Sequence, residues 1–463
     1  MMIAAGFTFV MLLLSCHGQE IFPFARAISN TLTHNPILQL ASQTSGEVIA
    51  NAAGAIAESP IAIARTAGSF YTFPFLANRK NLVDYADKFV LEYYSNANNE
   101  DVTLSIGDLI TKYGYPLEKH SVHTEDGYKL HMFRIPSNGS VVFLMHGLEG
   151  SADDFVLNGP QSGLAYLLAD EGYDVWMGNA RGNKHSRHHK YLTPSDSDFW
   201  DFSWHDIGYY DLPAMIDRAL HVSNSDTLKY IGHSQGTTVF FVMASEREEY
   251  NDKVTLMVAL SPVAYMTHVK SPLVRLLAPG TPLIYGAMKS LGVYEFLPDN
   301  SLLTPIKLLM CGDAPLADIL CSNFVFLIVG FDLEQLNMTN LAVILSHMPS
   351  GASVKQFVHY GQGVVSGEFR QFDLGVTGNL ERYGSRTPPR YALDRVRTPV
   401  SLFYSDADWL AHPADVDRLY NELHNAVDIH KVPYEPFNHI DFLFARDFKR
   451  LIYKRLHKLL SLF

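Results

Sequence analysis

The sequence predicts an α/β fold, a mainly parallel central sheet flanked by helices and interrupted by a mostly helical insertion. Three observations predict it. Apolar, β-branched runs alternate with helix-length segments, the alternation lapses for about 130 residues, and strand signals return near the carboxyl end. At 463 residues the chain is longer than a usual domain of about 100–200 residues, so one large core with an inserted or appended part is expected. A content of 47% hydrophobic and 18% charged residues can fill such a core. The net charge of -12 argues against nucleic acid, whose phosphates need clustered Lys and Arg, and the basic run at 184–190 reads as a solvated loop.

Residues 3–14 are apolar and lead to Cys16 and Gly18, the pattern of a signal peptide cut after Gly18. About twelve apolar residues are too few to span a bilayer core, and no later stretch reaches that length. Secretion, or delivery to a lysosome-like compartment, is therefore expected. Residues 19–104 form an N-terminal extension, Ala-rich at 48–69 and without a clean period, which reads equally as a propeptide, a spacer or a surface-binding arm.

Alternating runs at 120–124 and 128–134 flank Glu125-Asp126-Gly127, a hairpin signal because glycine tolerates the positive φ of the turn. Buried-type strands follow at 141–145, 173–177, 228–231 and 254–260, with helical segments at 161–170 and 207–220 between consecutive strands, as parallel pairing requires. Strands are expected again at 400–404 and 427–432, and an amphipathic helix at 441–460. The core is thus assigned to 105–262 and 393–463, with residues 263–392 inserted between them. Beyond Cys16, the chain has Cys311 and Cys321, ten residues apart, which either close a small loop in an oxidising compartment or remain free thiols. Asn138-Gly139-Ser140 and Asn337-Met338-Thr339 are glycosylation sequons.

Gly232-His233-Ser234-Gln235-Gly236 matches G-x-S-x-G, and it stands between the strand-like 228–231 and the helical 237–246. A sharp strand-to-helix turn there would lift the Ser234 hydroxyl above the sheet. A serine becomes nucleophilic when an imidazole takes its proton, and the imidazole needs a carboxylate to fix its tautomer. In the α/β-hydrolase fold the order is Ser, acid, His. Only the region after the insertion supplies both: Asp408, or its neighbour Asp406, after the strand 400–404, and His439 after 427–432. Asp415 and Asp417 fall where a helix begins and read as surface charges; His412, His424, His430 and His457 read as solvent-facing or packed. An oxyanion needs backbone donors. The N-H groups of Gln235 and of Leu148, in His146-Gly147-Leu148 after the strand 141–145, are expected to supply them. There is no HExxH or Cys/His cluster, so no metal or cofactor is implied.

The stretches YGYPLEKHSVHTEDGYKLHMFRIP, HGLEGSADDFVLNGP, GYDVWMGNARGN, FWDFSWHDIGYYDLPAMID, YIGHSQGTT, SGEFRQFDLG, DWLAHPADV and FNHIDF together resemble the acid lipase family, over residues 106–458. The resemblance implies an α/β-hydrolase fold with Ser234 as nucleophile, Asp408 as acid, His439 as base, and Leu148 and Gln235 as oxyanion donors. It further implies that residues 263–392 form a cap with a lid, bridged by Cys311 and Cys321. The substrate expected from it is a neutral lipid ester, a triacylglycerol or sterol ester, met at a lipid-water interface. The competing readings are a carboxylesterase for short soluble esters and a catalytically silent lipid-binding protein.

Overall fold

The strands are β1 (Glu118–His123), β2 (Tyr128–Ile135), β3 (Val141–Met145), β4 (Asp174–Met177), β5 (His188–His189), β6 (Leu228–His233), β7 (Val254–Leu260), β8 (Glu295–Phe296), β9 (Ala352–Ser353), β10 (Val400–Tyr404) and β11 (Ala426–Lys431). They belong to a computed structural model that describes residues 99–296 and 328–463 except 331, 333 and 337. All described residues lie in the compact unit Lys88–Phe463.

The main sheet has the order β1-β2-β4-β3-β6-β7-β10-β11, with β5 on β2. β1, β2 and β4 pair antiparallel, whereas β4, β3, β6, β7, β10 and β11 pair parallel. Central strands without polar alternation need both faces covered. Phe143, Tyr230 and Met257 accordingly enter one apolar cluster, while Val142, Leu144, Ile231 and Val258 enter the other. Gly127 takes φ 105° in the hairpin between β1 and β2, the conformation for which the Asp-Gly pair was singled out.

Every crossover between parallel strands delivers the next carboxyl end to the same rim, and there the loops after β3, β6, β7, β10 and β11 collect. The segment between β7 and β10 is mostly helical where described, with helices Pro272–Leu277, Thr281–Ser290, Met338–His347, Val354–Ser366 and Gly375–Tyr383 and the antiparallel pair β8-β9. Residues 1–98, and with them the expected signal peptide and most of the stretch read as an N-terminal extension, lie outside the described residues, as do Cys311, Cys321 and Asn337. Among the described residues no helix is long and apolar enough to cross a membrane.

Two expectations are corrected. The helix expected at 441–460 is broken into Asp441–Phe444, a π-helical turn Lys449–Tyr453 and Lys454–Leu460. Ala445 turns extended at ψ 137°, because Asn158 Nδ2 donates to its carbonyl at 3.1 Å and its backbone bridges Leu336. Asp415 is not a surface charge but is buried, accepting from the His268 backbone N-H and Nδ1 at 2.8 Å each. Asp417, by contrast, is exposed.

Candidate active site

β6 ends on His233 and the helix Gln235–Glu246 begins one residue later, so Ser234 alone carries the reversal, at φ 53° and ψ -118°. A non-glycine residue in that region is strained, and the surroundings must hold it there. They do so through Ser234 N, which donates to Leu260 O at 3.0 Å, and through the flanking glycines. A Cβ on Gly232 would lie 2.7 Å from the backbone of Gly236, and one on Gly236 would lie 2.2 Å from Met145 O. The motif is thus a steric requirement of passing three backbones through one point.

His439, in the loop after β11, places Nε2 2.8 Å from Ser234 Oγ. Its Nδ1 lies 2.9 and 3.0 Å from the two carboxylate oxygens of Asp408. With Nε2 free to accept the Ser234 proton, Nδ1 carries the hydrogen that faces the carboxylate. Asp408 is fully buried, which by itself raises a carboxyl pKa. The electrostatic attraction and hydrogen bond of the His439 ring, together with the Ser261 hydroxyl and the Ala411 N-H, outweigh that burial and hold it below the usual value. Asp406, the alternative acid, instead pairs with Lys431 at the surface.

The loop after β3 brings Gly147 against the nucleophile: a Cβ there would lie 3.1 Å from Ser234 Cβ and 3.2 Å from His233 Nδ1. Leu148 follows directly. This loop is fixed by His146, whose Nδ1-H donates to Gly147 O at 2.7 Å while Nε2 accepts from Ala180 N at 3.1 Å. Burial pushes the His146 pKa down to about 4, so the ring stays neutral and keeps that tautomer. Asn179 and Asn183 extend the support, Asn179 Oδ1 accepting from Ala152 N and from Asn183 Nδ2 at 3.0 Å each.

His233 donates from Nε2 to His439 O at 3.0 Å, and burial pushes its pKa down to about 3. The base loop is further held by Asn438, which donates to Gly330 O at 3.2 Å. Gln235, beside the nucleophile, donates from Nε2 to Gln356 Oε1 at 2.8 Å, and both side chains are buried. Gln356 belongs to the helix Val354–Ser366, so the residue whose N-H is an expected oxyanion donor is tied to the insertion.

These supports had no sequence signal of their own. Several of them join residues distant in the chain, 34 positions apart for His146 and Ala180 and 206 for His233 and His439. Of the excluded histidines, His424 is exposed, and His412 accepts from Ala414 N at 3.2 Å and caps the helix Pro413–Glu422.

Asp153 and Asp154 stand side by side in the same loop, both buried. Asp153 is ionised, accepting from Lys184 at 2.6 Å and from His185 and His347 at 2.7 Å each. Burial, and then the Asp153 charge, push the Asp154 carboxyl up to about 7. A folded pKa above the unfolded one means stability that is present below about pH 4 and lost as pH rises through about 7. Asp154→Asn therefore gains stability relative to the parent by about 1.4 kcal/mol per pH unit across that window. Thermal melts of both proteins from pH 4 to 7 check this; a difference independent of pH refutes it.

The family model described as a partial alpha/beta-hydrolase lipase region matches residues 106–159, and that of the alpha/beta hydrolase fold matches 140–281. A solved chain from Sulfolobus solfataricus superposes with a TM-score of 0.50 over 75% of this chain and 94% of its own, at 13% identity, a likeness of fold alone. The protein is thus an α/β hydrolase by fold. Lipase 1 and Lipase 3 of Drosophila melanogaster are 43% and 44% identical to it, over 78% and 76% of this chain and 81% and 91% of theirs. Gastric triacylglycerol lipase of Bos taurus is 38% identical over 79% of this chain and 93% of its own. The chain belongs to the acid lipase family.

Proposed function

We propose that the protein hydrolyses carboxylic esters of neutral lipids, triacylglycerols or sterol esters, through an acyl-Ser234 intermediate. The observation that carries this is the unbroken line of hydrogen bonds from Ser234 Oγ through His439 to Asp408, at 2.8 and 2.9 Å. In the acylation step Ser234 Oγ bonds to the ester carbonyl carbon while its proton passes to His439 Nε2. The carbonyl oxygen becomes an oxyanion held by the N-H groups of Leu148 and Gln235. Collapse breaks the bond to the alcohol oxygen, which leaves with the proton from His439. Water then repeats the sequence on the acyl-enzyme, giving a fatty acid and free Ser234.

The lipid substrate is supported by the relatives' names and by the insertion, residues 263–392, read as a cap with a lid. Its helices Pro272–Leu277 and Thr281–Ser290 expose Leu276, Leu277, Leu283 and Ile284, side chains that lose water contact at a lipid surface. The apolar run at 3–14 supports passage through the secretory route, and the exposed Asn138 between β2 and β3 then becomes a glycan acceptor. A bridge between Cys311 and Cys321 belongs to the same reading. The test is hydrolysis of triolein, cholesteryl oleate and a short soluble ester by the purified protein. Turnover of at least one long-chain substrate is expected; turnover of the short ester alone refutes the lipid reading.

A further inference from the structure

We infer that Ser261 is a positioning residue of the hydrolytic machinery, its hydroxyl clamping Asp408 and the Nδ1 edge of His439 in register, an inference that rests on the triad reading above. Ser261 follows the last residue of β7 and is fully buried. Its Oγ lies 2.5 Å from Asp408 Oδ2 and 2.6 Å from His439 Nδ1. The hydroxyl has one hydrogen, and a carboxylate can only accept, so Oγ donates to Asp408 and turns a lone pair toward the Nδ1 hydrogen.

That division completes the carboxylate. Asp408 Oδ1 accepts from Leu410 N at 2.8 Å and Ala411 N at 2.9 Å, and Ser261 is the matching donor on Oδ2. With donors on both oxygens the carboxylate cannot rotate about its Cβ–Cγ bond, and His439 meets it in one orientation. When His439 takes the Ser234 proton, its Nδ1 hydrogen faces an oxygen on Ser261 as well as the carboxylate, and both oppose the new positive charge.

The local backbone gives no other reason for a serine. Ser261 sits at φ 53°, where glycine would be unstrained, and its own N-H is satisfied by Phe403 O at 2.9 Å. A hydroxyl is therefore kept at a position whose conformation disfavours any side chain, and that hydroxyl contacts two members of the triad.

The experiment measures kcat and KM on a short soluble ester for Ser261→Ala, Ser261→Gly, Asp408→Asn and the Ser261→Ala/Asp408→Asn pair. Both single Ser261 variants are expected to lose about 10- to 100-fold in kcat, as for a lost charge-assisted hydrogen bond, with KM changed less than about twofold. Ser261→Gly suits φ 53° and reports on the hydroxyl even if the alanine variant fails to fold. Once Asp408 is asparagine, removing the Ser261 hydroxyl should cost less than about twofold more, because its partner is already lost. Parental kcat in both single variants, or fully multiplicative losses in the pair, overturns the role of Ser261. Parental kcat in Asp408→Asn instead overturns the triad.

Discussion

Ser234→Ala is expected to lower kcat by about a millionfold and to abolish covalent labelling by a fluorophosphonate probe, while Asp408→Asn lowers kcat by about ten-thousandfold. The first loss is complete because no other hydroxyl lies at the bend after β6 with His439 Nε2 at 2.8 Å. What remains is binding and polarisation of the ester by backbone donors. The second loss comes through the tautomer. An asparagine at 408 keeps an oxygen for the Leu410 and Ala411 N-H groups but turns its NH2 toward His439 Nδ1. Two donors cannot face each other, so the ring hydrogen moves to Nε2, and the imidazole can no longer take a proton from Ser234. Asp408→Asn should therefore still be labelled, slowly, whereas Ser234→Ala should not be labelled at all. Steady-state kinetics on a soluble ester, with circular dichroism to confirm folding, check both; kcat within tenfold of the parent in Ser234→Ala would point to a different nucleophile.

The contrast between these residues and Ser261 shows which parts of a site are written locally. Gly232 and Gly236 are legible because each has a short-range steric task, and a strand on one side and a helix on the other complete the pattern. Asp408 and His439 were legible by chain order after two strands, although order alone could not part Asp408 from Asp406. A contact separates them: Lys431 takes Asp406, and His439 takes Asp408. Ser261 had no such signature, since a serine ending a strand looks like any other until β10 brings Asp408 beside it. The break at Ala445 was hidden for the same reason, because Asn158, far away in the chain, captures its carbonyl. Asp415 misled in the opposite sense: a carboxylate in a first helical turn is usually solvated, and here His268 covers it.

Arg181→Met is expected to destabilise the protein by about 3–5 kcal/mol at neutral pH, the cost of leaving buried charge without its partner. The guanidinium is fully buried beneath the hairpin of β1 and β2, 4.1 Å from the Tyr128 ring centroid. It donates to Asp126 at 2.6 and 2.9 Å through its two terminal nitrogens and to Asp211 at 2.8 Å through Nε. Asp211 also accepts from the Arg181 backbone N-H at 2.9 Å. Burial pushes the Asp211 carboxyl up to about 6 even with Arg181 beside it, so without the arginine it rises further and binds a proton at neutral pH. A raised folded pKa removes stability as pH rises, so the gap between parent and variant should widen from pH 5 to pH 8. Asp211→Asn added to Arg181→Met should recover part of the loss, because the amide has no charge to strand. Denaturant unfolding at the two pH values measures both effects. A gap that stays constant with pH would mean that methionine costs packing around Tyr128, not an unpaired Asp211. The link to catalysis is positional, since Arg181 lies between Asn179 and Asn183, which brace the loop of His146, Gly147 and Leu148 against Ser234. Loss of the ion pair should therefore lower kcat on a soluble ester as well as the unfolding free energy, and the Asp211→Asn partner should restore the two together.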